Sequence, residues 1–307
     1  MAQLCIIKSK KMKKVWFITG SSRGLGRSLT EAVLADGGLV AATARNIDAL
    51  SDLSEEYPGQ VLAIKLDVND LVQVQKSVAD AVAHFGRIDV LVNNAGFGII
   101  GAAEAFTNEQ VRSQLETNLY APIAVTRAVL PYMRKQRAGR ILQVSSVGGR
   151  VGNSGLTMYQ AAKFGLSGFS EALAKEVAPL GIFVTSVEPG GFRTDWAGAS
   201  MTYAPQVEGY EKSVDQRVDF FKSGQFVPMG DPVKAAKAML ELVESAEPPV
   251  HLILGSEAIA IVRSGDEARK AELEKWLDVS LSTDHDEAGN FLETALGKTF
   301  TRERGEG

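Results

Sequence analysis

Cysteine and histidine are nearly missing from this chain, which holds one Cys and three His in 307 residues. The lone Cys5 excludes an internal disulfide framework and points to a reducing compartment. His84, His251 and His285 lie too far apart in sequence for a local zinc signature, so no metal is expected. No apolar run approaches the roughly 18 residues that cross a bilayer, so no membrane partner is expected. The opening "MAQLCIIKSKKMKK" sets only four apolar residues together, ahead of its lysines. A secretory signal puts its charges first and needs a longer core. Residues 1–14 read as a disordered basic extension of a cytoplasmic protein. Strong charge is lacking too: 33 Lys and Arg against 37 Asp and Glu give a net charge of −4. That balance leaves no electrostatic footprint for nucleic acid.

What is present is a composition ordinary for a globular protein, 45% hydrophobic and 23% charged. Seven short apolar runs recur: "VWFIT" (15–19), "LVAATA" (39–44), "VLAIKLDV" (61–68), "IDVLVNN" (88–94), "RILQVSS" (140–146), "IFVTSVEP" (182–189) and "VHLIL" (250–254). Most are solidly hydrophobic, as strands buried on both faces are. Helical stretches separate them, so the expected fold is α/β, a doubly wound and mostly parallel sheet of about seven strands in one domain. Among these stretches, "TNEQ" (107–110) is a capping box opening a helix to about Arg134. Another helix, rich in Ala and Gly, spans about 157–178. Residues 15–257 form the expected domain, 190–230 a long substrate loop, and 258–307 a helical extension and tail.

The first run passes straight into "GSSRGLG", and then into an amphipathic stretch that stops at Gly37-Gly38. That is strand, tight turn and helix, and a helix N-terminus of this kind suits a phosphate. A plain turn needing glycine only for its backbone geometry is the alternative. The P-loop spacing fails, since the last glycine is followed by Arg27 rather than lysine. The G-x-G-x-x-G fingerprint fails as well, because the glycines run G-x-x-x-G-x-G and the second apolar run ends in Ala44-Arg45 without an acid. "GNSG" (152–155) and "GLSG" (165–168) lack the spacing and the strand of a hydrolase elbow.

A different pattern does fit. "TGSSRGLG" resembles the TGxxxGxG turn of the short-chain dehydrogenase/reductase family, and "NNAG" (93–96), Asn118, Ser146, "YQAAK" (159–163) and "PGGFRT" (189–194) follow in the family's order. The resemblance spans about residues 15–255 and implies a Rossmann-like fold. It implies catalytic roles for Asn118, Ser146, Tyr159 and Lys163. For the cofactor it implies Gly20, Ser22, Arg23, Gly24, Leu25, Gly26, Arg45, Asp67, Val68, Asn94, Ala95, Gly96, Pro189, Gly190, Phe192 and Thr194, with Tyr159 and Lys163 again. Asp67 and Val68 would border the adenine, and Thr194 would hold the nicotinamide amide.

Tyr159 and Lys163 are four apart and share a helix face. A free tyrosine titrates near 10, and a neighbouring ammonium is expected to lower that value towards working pH. The family interval from the tyrosine selects Ser146 over Ser145, which would point to the other side. The implied reaction is hydride transfer between a nicotinamide and a carbonyl carbon, with Tyr159 handling the oxygen's proton. Arg23 and Arg45, with no acid after the second run, suit the extra phosphate of NADP(H) and favour it over NAD.

The loop holds Phe192, Trp196, Met201, Tyr203, Tyr210, Phe220, Phe221 and Phe226. These side chains suit a bulky apolar ketone or alcohol, or else simply pack the loop. No basic cluster in the loop marks an acidic substrate. The small-residue helix allows close helix–helix approach, and the family resemblance then implies a homodimer or homotetramer. A 3-oxoacyl thioester reductase and a catalytically silent NADP(H) sensor of the same fold are the rival readings.

Overall fold

The structure is a computed structural model and describes residues 13–194 and 200–299. All seven apolar runs become strands of one parallel sheet. The first half of the chain supplies β1 (Val15–Ile18), α1 (Gly24–Ala35), β2 (Leu39–Ala44), α2 (Ser51–Glu56), β3 (Val61–Lys65), α3 (Leu71–Phe85) and β4 (Val90–Asn93). A three-residue β5 (Gly98–Ile100) follows, then α4 (Asn108–Leu115), α5 (Ala121–Gln136), β6 (Gly139–Val144), α6 (Thr157–Val177) and β7 (Ile182–Pro189). The last elements are β8 (Met201–Tyr203), α7 (Gln216–Lys222), α8 (Pro232–Glu244), β9 (His251–Leu254), α9 (Ser256–Lys275) and α10 (Leu277–Leu281).

The strand order is β3-β2-β1-β4-β6-β7-β9, and every pairing is parallel. Progression runs outward from β1 to β3 and then restarts on the other side at β4. The turns after β1 and β4 therefore diverge at a switch point, where such sheets open a crevice. The expected fold class is the observed one. A second sheet, of β5 and β8, was not legible in the sequence, since each strand has only three residues.

Strand pleating divides the solid apolar runs between two cores. Trp16, Ile18, Val40, Ala42, Val90 and Val92 join α1 and α8 residues such as Leu29, Val33, Ala236 and Met239 on one face. Phe17, Ala41 and Leu91 join Val74, Val125, Val129 and Leu173 on the other. Each helix thus covers a face that only a two-sided strand can offer.

The capping box at Thr107 forms as expected: Thr107 Oγ1 accepts from Gln110 N at 3.2 Å, and Gln110 Oε1 accepts from Thr107 N at 2.9 Å. The helix it opens does not run unbroken to Arg134. It widens into a π-helical turn at Glu116–Tyr120 before α5 begins. Pro122 is the physical reason, because it has no N–H to give to the carbonyl of Asn118 four residues earlier. π turns of this kind recur at functional sites.

Lys13 and Lys14, assigned to the basic extension from sequence, are held in place. Lys13 Nζ donates to Gln60 Oε1 at 3.3 Å, and Lys14 pairs with Glu244. The rest of that extension, Trp196 and the last eight residues lie outside the described residues. Compact packing divides the chain after Val262. From Arg263 on, the second unit carries the rest of α9, α10 and a short 3-10 turn at Phe291–Glu293. No helix among the described residues is long and apolar enough to cross a membrane.

One charged cluster is buried beside the sheet. Glu188, fully buried on β7, accepts from Arg150 Nη1 at 3.3 Å and Ser186 Oγ at 3.0 Å and meets His251 Nδ1 at 2.7 Å; His251 Nε2 meets Glu171 at 3.0 Å. The Glu188 carboxylate raises the His251 pKa, against the opposing effects of burial and Arg150. A histidine so raised stabilises the fold fully below its unfolded pKa, and that contribution disappears as pH rises through the folded value. Urea unfolding at pH 6 and pH 9 is expected to show a loss of stability in wild type that His251→Gln lacks; equal pH dependence in both would contradict it. Gly26 is the tightest point of the first turn, since a Cβ there would lie 2.3 Å from Gly20 O and from Asn94 Nδ2. Gly26→Ala is expected to cost on the order of 1–3 kcal/mol in the same urea titration.

Candidate active site

The turn after β1 is stitched to the turn after β4 by two side chains. Thr19 Oγ1 accepts from Asn94 N at 2.9 Å and Ala95 N at 3.1 Å. Asn94 Nδ2 donates back to Thr19 O at 2.9 Å and Gly20 O at 3.1 Å. Gly20 (φ +70°) and Gly24 (φ +59°) adopt left-handed conformations that side chains resist. The turn delivers α1 with no side-chain cap at Arg23 and no acid in its first turn. Its first N–H groups and positive dipole end thus face the crevice available to an anion. Ser22 and Leu25 are half-buried on this rim.

Arg23 and Arg45 are exposed on either side of it, and neither makes an ion pair among the described residues. Arg27, by contrast, is committed: it pairs with Glu31 at 2.6 Å and with Asp52, carboxylates that hold its pKa high. Asp67 N donates to Gln73 Oε1 at 3.0 Å, and Asp67 Oδ1 accepts from Asn69 N at 3.0 Å. Val68 is buried beside Thr19, Ala95 and Pro122. These groups fit a dinucleotide along the crevice: uncapped donors for a pyrophosphate, and two free guanidinium groups beyond it.

Lys163 and Tyr159 lie on the inner face of α6, 5% and 6% exposed. Lys163 Nζ donates to Val144 O at 2.8 Å, which fixes the ammonium against the end of β6. Ser146 accepts from Gly148 N at 3.0 Å, capping the next turn, and also hydrogen-bonds the Tyr159 phenol. Ser145 faces away as expected, its Oγ donating to Lys163 O at 3.2 Å and meeting Ser167 Oγ at 3.1 Å. Asn118 belongs to the π turn. Its Nδ2 donates to Phe97 O at 2.7 Å and its Oδ1 accepts from Phe97 N at 3.1 Å, so the side chain clamps the strand after "NNAG". A Cβ on Gly96 would sit 2.8 Å from that same Oδ1.

The sequence suggested that Lys163 would lower the tyrosine pKa. Burial dominates instead: it pushes Tyr159 up to about 12, with the Ser146 hydrogen bond opposing, and Lys163 down to about 8. The ammonium lies 5.8 Å from the ring centroid and is aimed at Val144 O. In the protein alone Tyr159 is therefore a protonated phenol at neutral pH.

The turn after β7 closes the crevice from above. Pro189 is buried, Gly190 N donates to Leu254 O at 3.0 Å, and Gly191 N donates to Glu257 Oε1 at 2.7 Å. Phe192 bridges to Gly230, and the Thr194 side chain lies 3.5 Å from where a Cβ on Gly24 would be. Sequence reasoning missed Glu257, because it lies 66 residues beyond its partner Gly191 and no motif joins them. It also missed Gln114, fully buried, which holds Ile99 N at 2.9 Å and Phe97 O at 2.8 Å. Met201, Val214 and Val218 from the loop cluster with Ile100, Leu156 and Tyr159, with Tyr203, Tyr210 and Phe221 packed alongside. Phe220, Phe221 and Phe226 meet edge-on or tilted, with ring centroids 4.9 to 6.0 Å apart, so these rings pack the loop.

Comparison with known proteins places this geometry. A family model described as short chain dehydrogenase matches residues 14–203. Oxidoreductase BOA17 of Botryotinia fuckeliana is 42% identical over 273 residues, covering 89% of this chain and 100% of that protein. A short-chain dehydrogenase from Streptomyces avermitilis superposes with a TM-score of 0.85 at 39% identity, over 89% of this chain and 100% of its own. A 3-ketoacyl-(acyl-carrier-protein) reductase from Brucella melitensis, complexed with NADH, gives 0.66 at 25% identity, over 78% and 96% of the two chains. With that match over most of its length and the order of strands, glycine turn and Tyr159–Lys163 pair described above, the chain belongs to the short-chain dehydrogenase family of oxidoreductases.

Proposed function

We propose that this protein is an NADP(H)-dependent oxidoreductase interconverting a ketone or aldehyde and its alcohol. One observation carries the reading: Ser146, Tyr159 and Lys163 meet in a buried corner at the end of β6, beside an uncapped helix N-terminus. The nicotinamide, when bound, supplies or accepts the hydride. Tyr159, kept protonated by burial, gives its proton to the carbonyl oxygen during reduction, while Ser146 holds that oxygen by a hydrogen bond. Lys163 at about 8 is close enough to neutrality to exchange a proton with the phenol afterwards. Pro122 denies the Asn118 carbonyl its ordinary helix donor, which supports a role for that carbonyl in holding a water that feeds Lys163.

Arg23 and Arg45, exposed and unpaired, support NADP(H) over NAD. The apolar wall around Tyr159 supports an apolar substrate. A 3-oxoacyl thioester is the second reading, favoured by the likeness to a 3-ketoacyl-(acyl-carrier-protein) reductase. Ala161, Phe164 and Gly168 form an exposed stripe on α6, which supports pairing of two copies there.

Tyr159→Phe is expected to lower kcat for ketone reduction by about 10²–10⁴ while leaving NADPH binding intact, read by NADPH consumption and fluorescence titration. Unchanged turnover would exclude the phenol as the proton donor. Arg45→Ala is expected to lower kcat/KM with NADPH by roughly 10–100-fold and to spare NADH. An equal effect on both cofactors would sink the phosphate assignment.

A further inference from the structure

The loop that covers Tyr159 carries one charged residue where an apolar one belongs. Val214, Arg217, Val218 and Phe221 recur at helical spacing i, i+3, i+4 and i+7, one face across the π turn at 211–215 and α7. Val214 and Val218 are buried in the cluster that holds Leu156 and Tyr159, and Phe221 packs against it. Arg217 shares that inward stripe. Its Cδ lies 3.7 Å from the Cβ position of Gly155, where Ile100 and Val214 also crowd at 3.4 and 3.5 Å. Gly155, in the turn just before α6, stands four residues before Tyr159 in sequence.

The guanidinium has no partner to justify that position. Among the described residues no hydrogen bond or ion pair reaches it, and burial alone shifts its pKa, downwards. Glu104, outside the loop, bonds the Tyr210 phenol; of the loop's described acids, Glu211 accepts from Gly209 N at 2.9 Å, and Glu208 and Asp219 are exposed. Asp215, two residues before Arg217, projects from a different side of the helix. A half-buried charge without an acceptor carries a desolvation cost, which a bound anion offsets. The planar guanidinium fork matches a carboxylate or phosphate.

We infer that Arg217 is a specificity-determining residue which binds an oxyanion, carboxylate or phosphate, at the end of an apolar substrate chain whose carbonyl lies at Tyr159. The carbonyl half of this statement rests on the reductase reading above; the oxyanion half rests on Arg217 alone. A search of the sequence for basic clusters misses it, because the signal is one arginine set in an apolar stripe.

Calorimetry with decanoate, decyl phosphate and decanol tests the site without turnover, on wild type, Arg217→Met and Arg217→Lys. Methionine keeps the apolar stem, and circular dichroism melting of each variant checks that the fold is kept. The expected result is roughly tenfold or greater loss of anion affinity in Arg217→Met, partial recovery in Arg217→Lys, and decanol binding within about threefold throughout. Tighter decanoate marks a carboxylate substrate, and tighter decyl phosphate marks a phosphate monoester. Equal loss for decanol and the anions, or no anion binding by wild type, overturns the inference.

Turnover of an ω-oxo fatty acid and its methyl ester with NADPH separates the two readings. The acid is expected to lose about tenfold or more in kcat/KM in Arg217→Met, mainly through KM, and the ester is expected to change little. Reduction of both substrates with equal losses removes the oxyanion site and leaves the reductase. No reduction of either, with Arg217-dependent decanoate binding intact, removes the reductase reading and leaves the site.

Discussion

The clasp between Thr19 and Asn94 is the contact on which the rest of the site depends. Two parallel strands that diverge at a switch point expose backbone donors and acceptors at their ends, and buried groups of that kind must be satisfied. Here Thr19 Oγ1 takes two N–H groups from the far turn, and Asn94 Nδ2 gives two hydrogen bonds back. With the turns satisfied by each other, the N–H groups at the start of α1 are left over for a ligand. The glycines serve that closeness. Gly20 and Gly24 allow the backbone its turn, and Gly26 lets Asn94 sit against the start of the helix.

Burial then sets the chemistry. The apolar cluster from β5, β8 and the loop seals Tyr159 and, with α6, leaves Lys163 in a dry corner. Desolvation penalises the charged form of each, so the phenol stays protonated and the ammonium is weakened. The same apolar wall makes the position of Arg217 costly, and so turns an ordinary surface residue type into a marker of ligand chemistry.

Much of the site was legible through the family resemblance, whose motifs fall at strand ends that the solid apolar runs mark. The glycine turn, Asn94, Ser146 and the Tyr159–Lys163 spacing all fall there or one helix face away. The family interval to the tyrosine singled out Ser146, and the structure turns the Ser145 and Ser146 hydroxyls to opposite sides, as is usual for neighbours on an extended chain. What was missed depends on distance along the chain. Glu257 reaches Gly191 across 66 residues, and the β5–β8 pair joins segments about a hundred residues apart. Neither leaves a local pattern.

By itself the sequence determined the parallel sheet, its strand sequence and the residue types gathered at its carboxyl edge, because hydrophobic period and turn chemistry are local properties. Only the tertiary structure decided the sign of the Tyr159 shift, the clamp of Asn118 on Phe97, and the unpaired state of Arg217 among the described residues. Each of those depends on how much water and which partners the folded chain leaves around a group, and no stretch of sequence carries that count.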